Sequence, residues 1–454
     1  LAPLMGIRGD WFLDLFTSEA EKLLEQLASQ RPRELGVQAY WWVPGLPEAP
    51  GEPPPVAAVD GGGGVIGVQG GGAVYVARAY GYVEGGEPER LLELRFYPAR
   101  DSRVLDALRT WLEHRVATRL ALRLPPGSLL LMDGSLWVTV TAAFTAVAKL
   151  ASGAVQSLAE VYTGVLSGYA LAEIALLAHR ASERGVTVLY VSKDHGFRAL
   201  KEKVLLDAVA SSSRAVEPLV SSALDWYPVT RGDRLRLLEA RRLLPQEARQ
   251  LLDAALDQSY RDQAFIADTA GRAPGYSWLL RLPPPRRLHR LVAQRGARGI
   301  LEAAVDRAEQ LLAPGDEALE ELRGLASRAA RALEELPCSR MLYIRPAPGD
   351  PLLLAEEPGA PGTYLAPGRA LEEPRGRVMD AVAALARHYA GPDYYNVPLV
   401  AAHLNASLDS RQLASYTRLL ESLAAARGLR LQLSRRLALG RATSRTRRRR
   451  RLLP

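Results

Sequence analysis

Residues 54–64, PPVAAVDGGGG, and residues 128–137, SLLLMDGSLW, decide the fold. Each is a short apolar run of the kind that forms a strand buried on both faces, and each stops at Asp-Gly. The two acids are Asp60 and Asp133. Hard cations such as magnesium and manganese take oxygen ligands, and a glycine after the ligand lets backbone and substrate come close. One Asp-Gly at a strand end is ordinary turn chemistry. Two in one chain, with a helix between them, point to a metal-dependent nuclease.

Working outward, residues 10–30 read as a helix, followed by a Pro/Gly-rich linker from Pro44 to Pro55. Strands are predicted at Val56–Asp60, Val65–Val68, Val74–Val83 and Leu91–Tyr97, with GGGG, GGG and GGEPE as hairpin turns between them. Asp101 caps a helix to about Arg123, which Pro125-Pro126-Gly127 stops. Then come a strand at Ser128–Met132, a long Ala-rich helical region at 138–184, a strand at Val186–Val191 and a helix at 197–210. This order gives an α/β chain with a ribonuclease H-like (RNase H-like) mixed β-sheet flanked by helices. In that layout the first and fourth strands lie side by side and deliver carboxylates to one edge.

Residues 213–340 read as a mainly helical insertion or arm, with long amphipathic helices at Arg231–Tyr260 and Gly299–Leu336 and a strand at Tyr276–Leu282. Residues 341–440 complete the sheet domain: a hairpin at Met341–Pro346 and Leu352–Ala355, a helix at 375–390, a strand at Leu399–His403, a helix at 409–427 and a strand at Leu429–Ser434. The expected units are therefore 1–50, 51–212, 213–340, 341–440 and a basic tail, 441–454.

The 454 residues can bury a large core, and 48% hydrophobic with 24% charged residues is ordinary globular composition. No uninterrupted apolar stretch has membrane-spanning length, and the N-terminal residues lack the apolar core of a signal peptide. The single cysteine, Cys338, excludes an intramolecular disulfide and a multi-Cys zinc site, which fits a cytoplasmic protein. A net charge of +8 favours a polyanionic partner, nucleic acid first. Arg447–Arg451 would add sequence-blind affinity for DNA, or simply form a solvated tail.

At the two Asp-Gly strands, and again at PDYYNVPLVAAHLNASLD (392–409), the chain resembles the NurA nuclease family. The second motif, Asp133-Gly134-Ser135-Leu136, is intact. The first reads Asp60-Gly61-Gly62, with glycine where the family has serine, a residue not expected to bind metal. The resemblance places the family's intervening acid on Glu113, its lysine on Lys193, and its C-terminal Tyr and His on Tyr395 and His403. It implies a manganese-dependent DNA nuclease, with magnesium as the alternative ion. It also implies 5′-end and single-strand cleavage, a homodimer, and the hexameric HerA translocase as partner in DNA end resection.

Each residue also has a plainer reading. Asp60 and Asp133 are turn formers in isolation. Glu113 lies on the flank of a helical stripe made by Val104, Leu105, Leu108, Trp111, Leu112, Val116 and Leu120, where an acid points to a sheet edge or to water. His403 ends an apolar run and reads as a core histidine, a metal ligand or a general acid. Tyr395 positions phosphate or packs, and Lys193 neutralises phosphate or joins a surface ion pair. Asp194 and His195 read as exposed loop neighbours. His114, His179, His289 and His388 have no ligand-like spacing. Leu13, Leu15 and Phe16 suit either a partner contact or packing. Two other classes stay open: a catalytically silent DNA clamp, and an actin-like ATPase suggested by the Gly61–Gly64 run.

Overall fold

The computed structural model describes residues 13–28, 33–48, 54–193 and 196–433. Asp194, His195 and the Arg447–Arg451 tail lie outside the described residues.

The chain begins α1 (Leu13–Ala28), β1 (Trp42–Pro44), β2 (Val56–Gly67), β3 (Ala73–Val83), β4 (Glu89–Tyr97), α2 (Ser102–Arg123), β5 (Leu129–Asp133), α3 (Leu136–Ala151), α4 (Leu158–Arg184) and β6 (Thr187–Ser192). It continues α5 (Ala199–Ser212), α6 (Glu217–Leu224), α7 (Arg231–Ala240), α8 (Gln246–Leu256), α9 (Asp262–Ala270), β7 (Gly275–Ser277), β8 (Leu279–Leu282), α10 (Arg286–Leu311) and α11 (Glu317–Glu334). It closes with β9 (Ser339–Arg345), β10 (Leu353–Pro358), β11 (Leu371–Glu372), α12 (Arg377–Arg387), α13 (Val397–Ala406) and α14 (Ser410–Ala426).

One mixed sheet takes the order β1-β7-β9-β10-β6-β5-β2-β3-β4, with β8 beside β9 and β11 beside β8. β2, β5 and β6 are parallel neighbours, so the first and fourth strands of the expected layout do lie together. Alternation along β2 and β5 sends Ala57, Val59, Leu130 and Met132 into a core under α2, α3, α4, α10 and α11. It sends Val56, Ala58, Leu129 and Leu131 to the opposite face, under α12 and α13. Farther along the sheet α5 to α9 pack on β8, β9 and β10. Residues 213–340 are thus spread over the sheet: β7 and β8 join it, and α10 and α11 cover α3 and α4.

The Gly61–Gly64 run is no hairpin. β2 runs straight through it and pairs with β3 from Ala57↔Val83 to Gly67↔Ala73. Bare backbone is needed there because two helices press on it. A Cβ on Gly61 would lie 2.5 Å from Glu113 Oε1 of α2, and one on Gly62 would run into the Ala406 carbonyl of α13. The expected strand at Leu399–His403 is also a helix, α13. Asn396 caps its N-terminus by accepting from Leu399 N, and Pro398 sits in the first turn, where a missing N–H costs nothing.

The long helices are broken where the sequence places turn residues. The 138–184 region splits at Gly153, whose φ is +72°, and restarts at the Ser157 cap. Pro245 separates α7 from α8, and Pro314-Gly315 separates α10 from α11. The expected strand at Leu429–Ser434 reduces to one bridge, Val68↔Leu433, and Ser434 is not described. By length and composition α4 could cross a membrane, although it holds no uninterrupted apolar run of that length. It is a core helix: 83% of its apolar window is buried inside the protein.

Candidate active site

Asp60 lies on β2 and Asp133 ends β5. The parallel register pairs Val59 with Met132, so these two acids are the next pair along the same edge. Both belong to the face covered by α13, by the alternation that buries Ala58 and Leu131 there. α13 carries His403 to them. His403 Nδ1 lies 2.6 Å from Asp60 Oδ2, and Gly61 N donates to Asp60 Oδ1 at 2.7 Å. Asp60 is buried whereas the His403 ring is well exposed.

The turn before α13 brings Tyr395, whose hydroxyl donates to Asp133 Oδ1 at 3.0 Å. Lys193, just past β6, places its ammonium 4.8 Å from the centre of the Tyr395 ring, a cation–π contact. Glu113 reaches the same corner from the other face of the sheet. It is buried against Gly61, and Arg109, one helical turn earlier, puts Nε 3.3 Å from its Oε1.

The electrostatics follow from these contacts. The hydrogen bond to Asp60 raises the His403 pKa above its ordinary value, with Asp133 adding to the effect while partial burial and Lys193 oppose it. Burial, followed by the Asp133 charge, pushes the Tyr395 phenol far above its ordinary range, so it stays a proton donor.

The structure therefore gathers Asp60, Asp133, His403, Tyr395 and Lys193, and sets Glu113 beside Asp60 across Gly61. Among the described residues no three His, Cys, Asp or Glu side chains stand close enough to cage a metal ion. In the structure Asp60 engages His403, Asp133 engages Tyr395, and Glu113 engages Arg109. The donor set still suits a hard divalent cation. Asp60 and Asp133 share one face, Glu113 lies across Gly61 on the other, and Arg109 and Lys193 are cations beside them.

Sequence reasoning missed Arg109 and Ser407. Arg109 was legible as the i−4 neighbour of Glu113 on a predicted helix. Ser407 Oγ lies 3.2 Å from His403 Nε2. The strand assignment hid it, because i,i+4 neighbours meet only on a helix. The remaining histidines go elsewhere. His114 bonds Thr110 O and the Tyr190 hydroxyl, His179 faces Glu183, His289 packs on Trp226 and His388 faces Glu84. The Gly61–Gly64 run lies inside a strand, so the Asp-Gly hairpin behind the ATPase reading is not formed.

The family model for the NurA domain matches residues 54–408, most of the chain and every residue of this corner. The chain belongs to the NurA family. As a member of it, the chain is a nuclease. Among solved structures it is similar to the NurA nuclease from Sulfolobus solfataricus. The two share 12% identity over 91% of this chain and 95% of that one, with a TM-score of 0.46. It is also similar to a NurA bound to dAMP and manganese, with 13% identity over 88% of this chain and 93% of that one and a TM-score of 0.38. No curated protein matches the chain.

Proposed function

We propose that this NurA family member is a divalent-metal-dependent deoxyribonuclease, using manganese or magnesium. It cleaves DNA from 5′ ends and cuts single strands internally, in the cytoplasm. The observation that carries this reading is the Asp60–Asp133 pair, set in register on adjacent parallel strands beneath His403, Tyr395 and Lys193. A NurA that binds dAMP and manganese supports both the ion and the substrate class.

Asp60, Asp133 and Glu113 are the residues to hold the metal, with His403 as a further donor. When bound, the ion supplies Lewis-acid polarisation of the phosphate and a water activated at neutral pH. The chain's own groups do the rest. The Lys193 ammonium pairs with the scissile phosphate, and Tyr395 fixes the Asp133 carboxylate by donating to it. His403, held by Asp60, completes the site.

The wider reading places the enzyme as a homodimer beside the HerA translocase in end resection. Leu15 and Phe16 support a docking role for α1, being 59% and 69% exposed; the side chain of Leu13 lies outside the described residues. A pull-down with a folded N-terminal deletion tests this, and undiminished HerA binding sinks it.

The central test is cleavage of end-labelled single- and double-stranded DNA with manganese, magnesium or EDTA, alongside Asp133→Ala. Cleavage should require both metal and Asp133, while the variant keeps its fold and DNA binding. Full activity of the variant removes the assigned site. Absence of cleavage even with HerA and ATP turns the reading to a silent DNA clamp.

A further inference from the structure

β2 is longer than the strand beside it, and the excess is an open edge. Leu129 N of β5 donates to the carbonyl of Pro55, just before β2, so the odd-numbered residues of β2 turn their N–H and C=O toward β5. β5 ends at Asp133, level with Asp60. Past that point Gly61, Gly63 and Val65 turn the same groups to an edge that no strand occupies among the described residues. Asp60 Oδ1 takes the Gly61 N–H, whereas the N–H and C=O of Gly63 and Val65 meet no partner among the described residues. All three residues are partly exposed.

The far end of this edge already holds a peptide segment. Val68 and Leu433 form an antiparallel bridge, and Gln69 N donates to the Gln432 carbonyl at 2.9 Å. The chain leaving Leu433 is thus aligned on β2 and runs back toward Asp60. Residues 434–440, SRRLALG, lie outside the described residues. Carried on in the same register, they set Leu437 opposite Gly64, Ala438 opposite Gly63, Leu439 opposite Gly62 and Gly440 opposite Gly61.

Size matches space in that register. Leu437 and Leu439 fall on the face of Leu433 and Leu413, across from glycines that have no side chain to oppose them. Ala438 and Gly440 fall on the other face, where Leu105 and Glu113 of α2 crowd Gly63 and Gly61. An edge of paired donors and acceptors suits another peptide strand, whereas a phosphate offers acceptors only. A segment of the same chain also arrives at high effective concentration.

We propose that residues 434–440 add a strand to the open edge of β2 and close it as far as Gly61. The strand then meets β5 end to end, and Arg441 falls opposite Asp60. Its guanidinium stands against Asp60 and Asp133, and a divalent ion must displace it, so the C-terminal segment restrains the site it reaches. That last step rests on the metal-site reading; the strand itself does not.

Two tests of the strand need no metal. In the full chain, Val65→Cys with Arg436→Cys should form an intramolecular disulfide on mild oxidation, because opposed residues of an antiparallel pair stand about 5.5 Å apart, within disulfide reach. The native Cys338 is buried, and the slipped pair Val65→Cys with Ala438→Cys should not close. A disulfide-linked dimer gives the edge to a second copy, and equal closure by both pairs, or by neither, removes the register; each overturns the proposal. Without added cysteines, the Gly63 and Val65 amides should exchange slowly with deuterium, and should lose that protection when Leu437→Asp and Leu439→Asp are combined. Fast exchange in both proteins overturns the proposal as well. Tm checks that each variant folds. For the contact at the site, Arg441→Ala should lower the manganese concentration at half-maximal Tm rise by about 2- to 5-fold, the scale of one exposed ion pair. An unchanged midpoint overturns the restraint, whereas a wild type whose Tm ignores manganese counts against the metal-site reading alone.

Discussion

Gly61 and Glu113 share one space: the carboxylate of α2 lies where a Cβ of β2 would be, 2.5 Å from Oε1. The glycine after Asp60 thus leaves room for Glu113 beside that acid, from the opposite face of the sheet. Gly61→Ala should push Glu113 and its Arg109 partner outward and lower kcat by about 100-fold, the scale of a 1 Å misplacement. Steady-state cleavage of a labelled single strand checks this. Wild-type kcat in a folded variant would show that Glu113 is not used.

Gly62 stands where the resembled family carries serine, and here that serine does not fit. Gly62→Ser would drive a side chain into the Ala406 carbonyl and lift the end of α13. The expected cost is roughly 1–3 kcal/mol of stability, typical of overpacking, with cleavage falling because His403 leaves Asp60. Chemical denaturation and a cleavage assay together decide it. A stable, active variant would mean that α13 moves freely against β2.

Manganese should stabilise the folded chain by mass action, about 2.7 kcal/mol when the metal is at about 100 times its Kd. Asp133→Asn removes one charged donor and should abolish most of this gain, and EDTA should reverse it. Tm measured against manganese concentration is the check. An equal rise in Tm for Asp133→Asn would place the ion elsewhere.

Lys201 gives a pH signature remote from the site. It is fully buried, donates to the Asp257 carbonyl at 2.7 Å, and burial lowers its pKa from 10.5 to about 8. Between those values the unfolded chain keeps a proton that the folded chain has lost. The stability tied to this group therefore rises with pH across that window and is lowest below it. Relative to Lys201→Met, the wild type should gain up to roughly 3 kcal/mol between about pH 8 and 10.5. Denaturation of both proteins at several pH values measures it. A difference flat in pH would mean that the lysine titrates normally.

Both strand acids were legible because buried parallel strands have a composition of their own and end abruptly at Asp-Gly. The adjacency of the first and fourth strands followed from element order alone, and β2 beside β5 bears it out. What the sequence hid was set by contacts distant in the chain. Four consecutive glycines favour a turn locally, yet Glu113 and Ala406 select a continuous strand. PLVAAH alternates too little to separate strand from helix, and the Asn396 cap, which decides it, gave too faint a signal to outweigh the apolar run. Glu113 read as a flanking acid turned to the sheet edge or to water; it is buried in the space that the missing side chain at Gly61 leaves.

His403 and Asp60 are 343 positions apart, and the closing contacts on β2 come from α13. During synthesis the strand acids exist long before the helix that completes their corner leaves the ribosome. A partly made or prematurely ended chain holds the acids without His403 or Tyr395, and one face of β2 stays uncovered. Under the proposed function, cleaving power waits until α13 has been made and docked on β2.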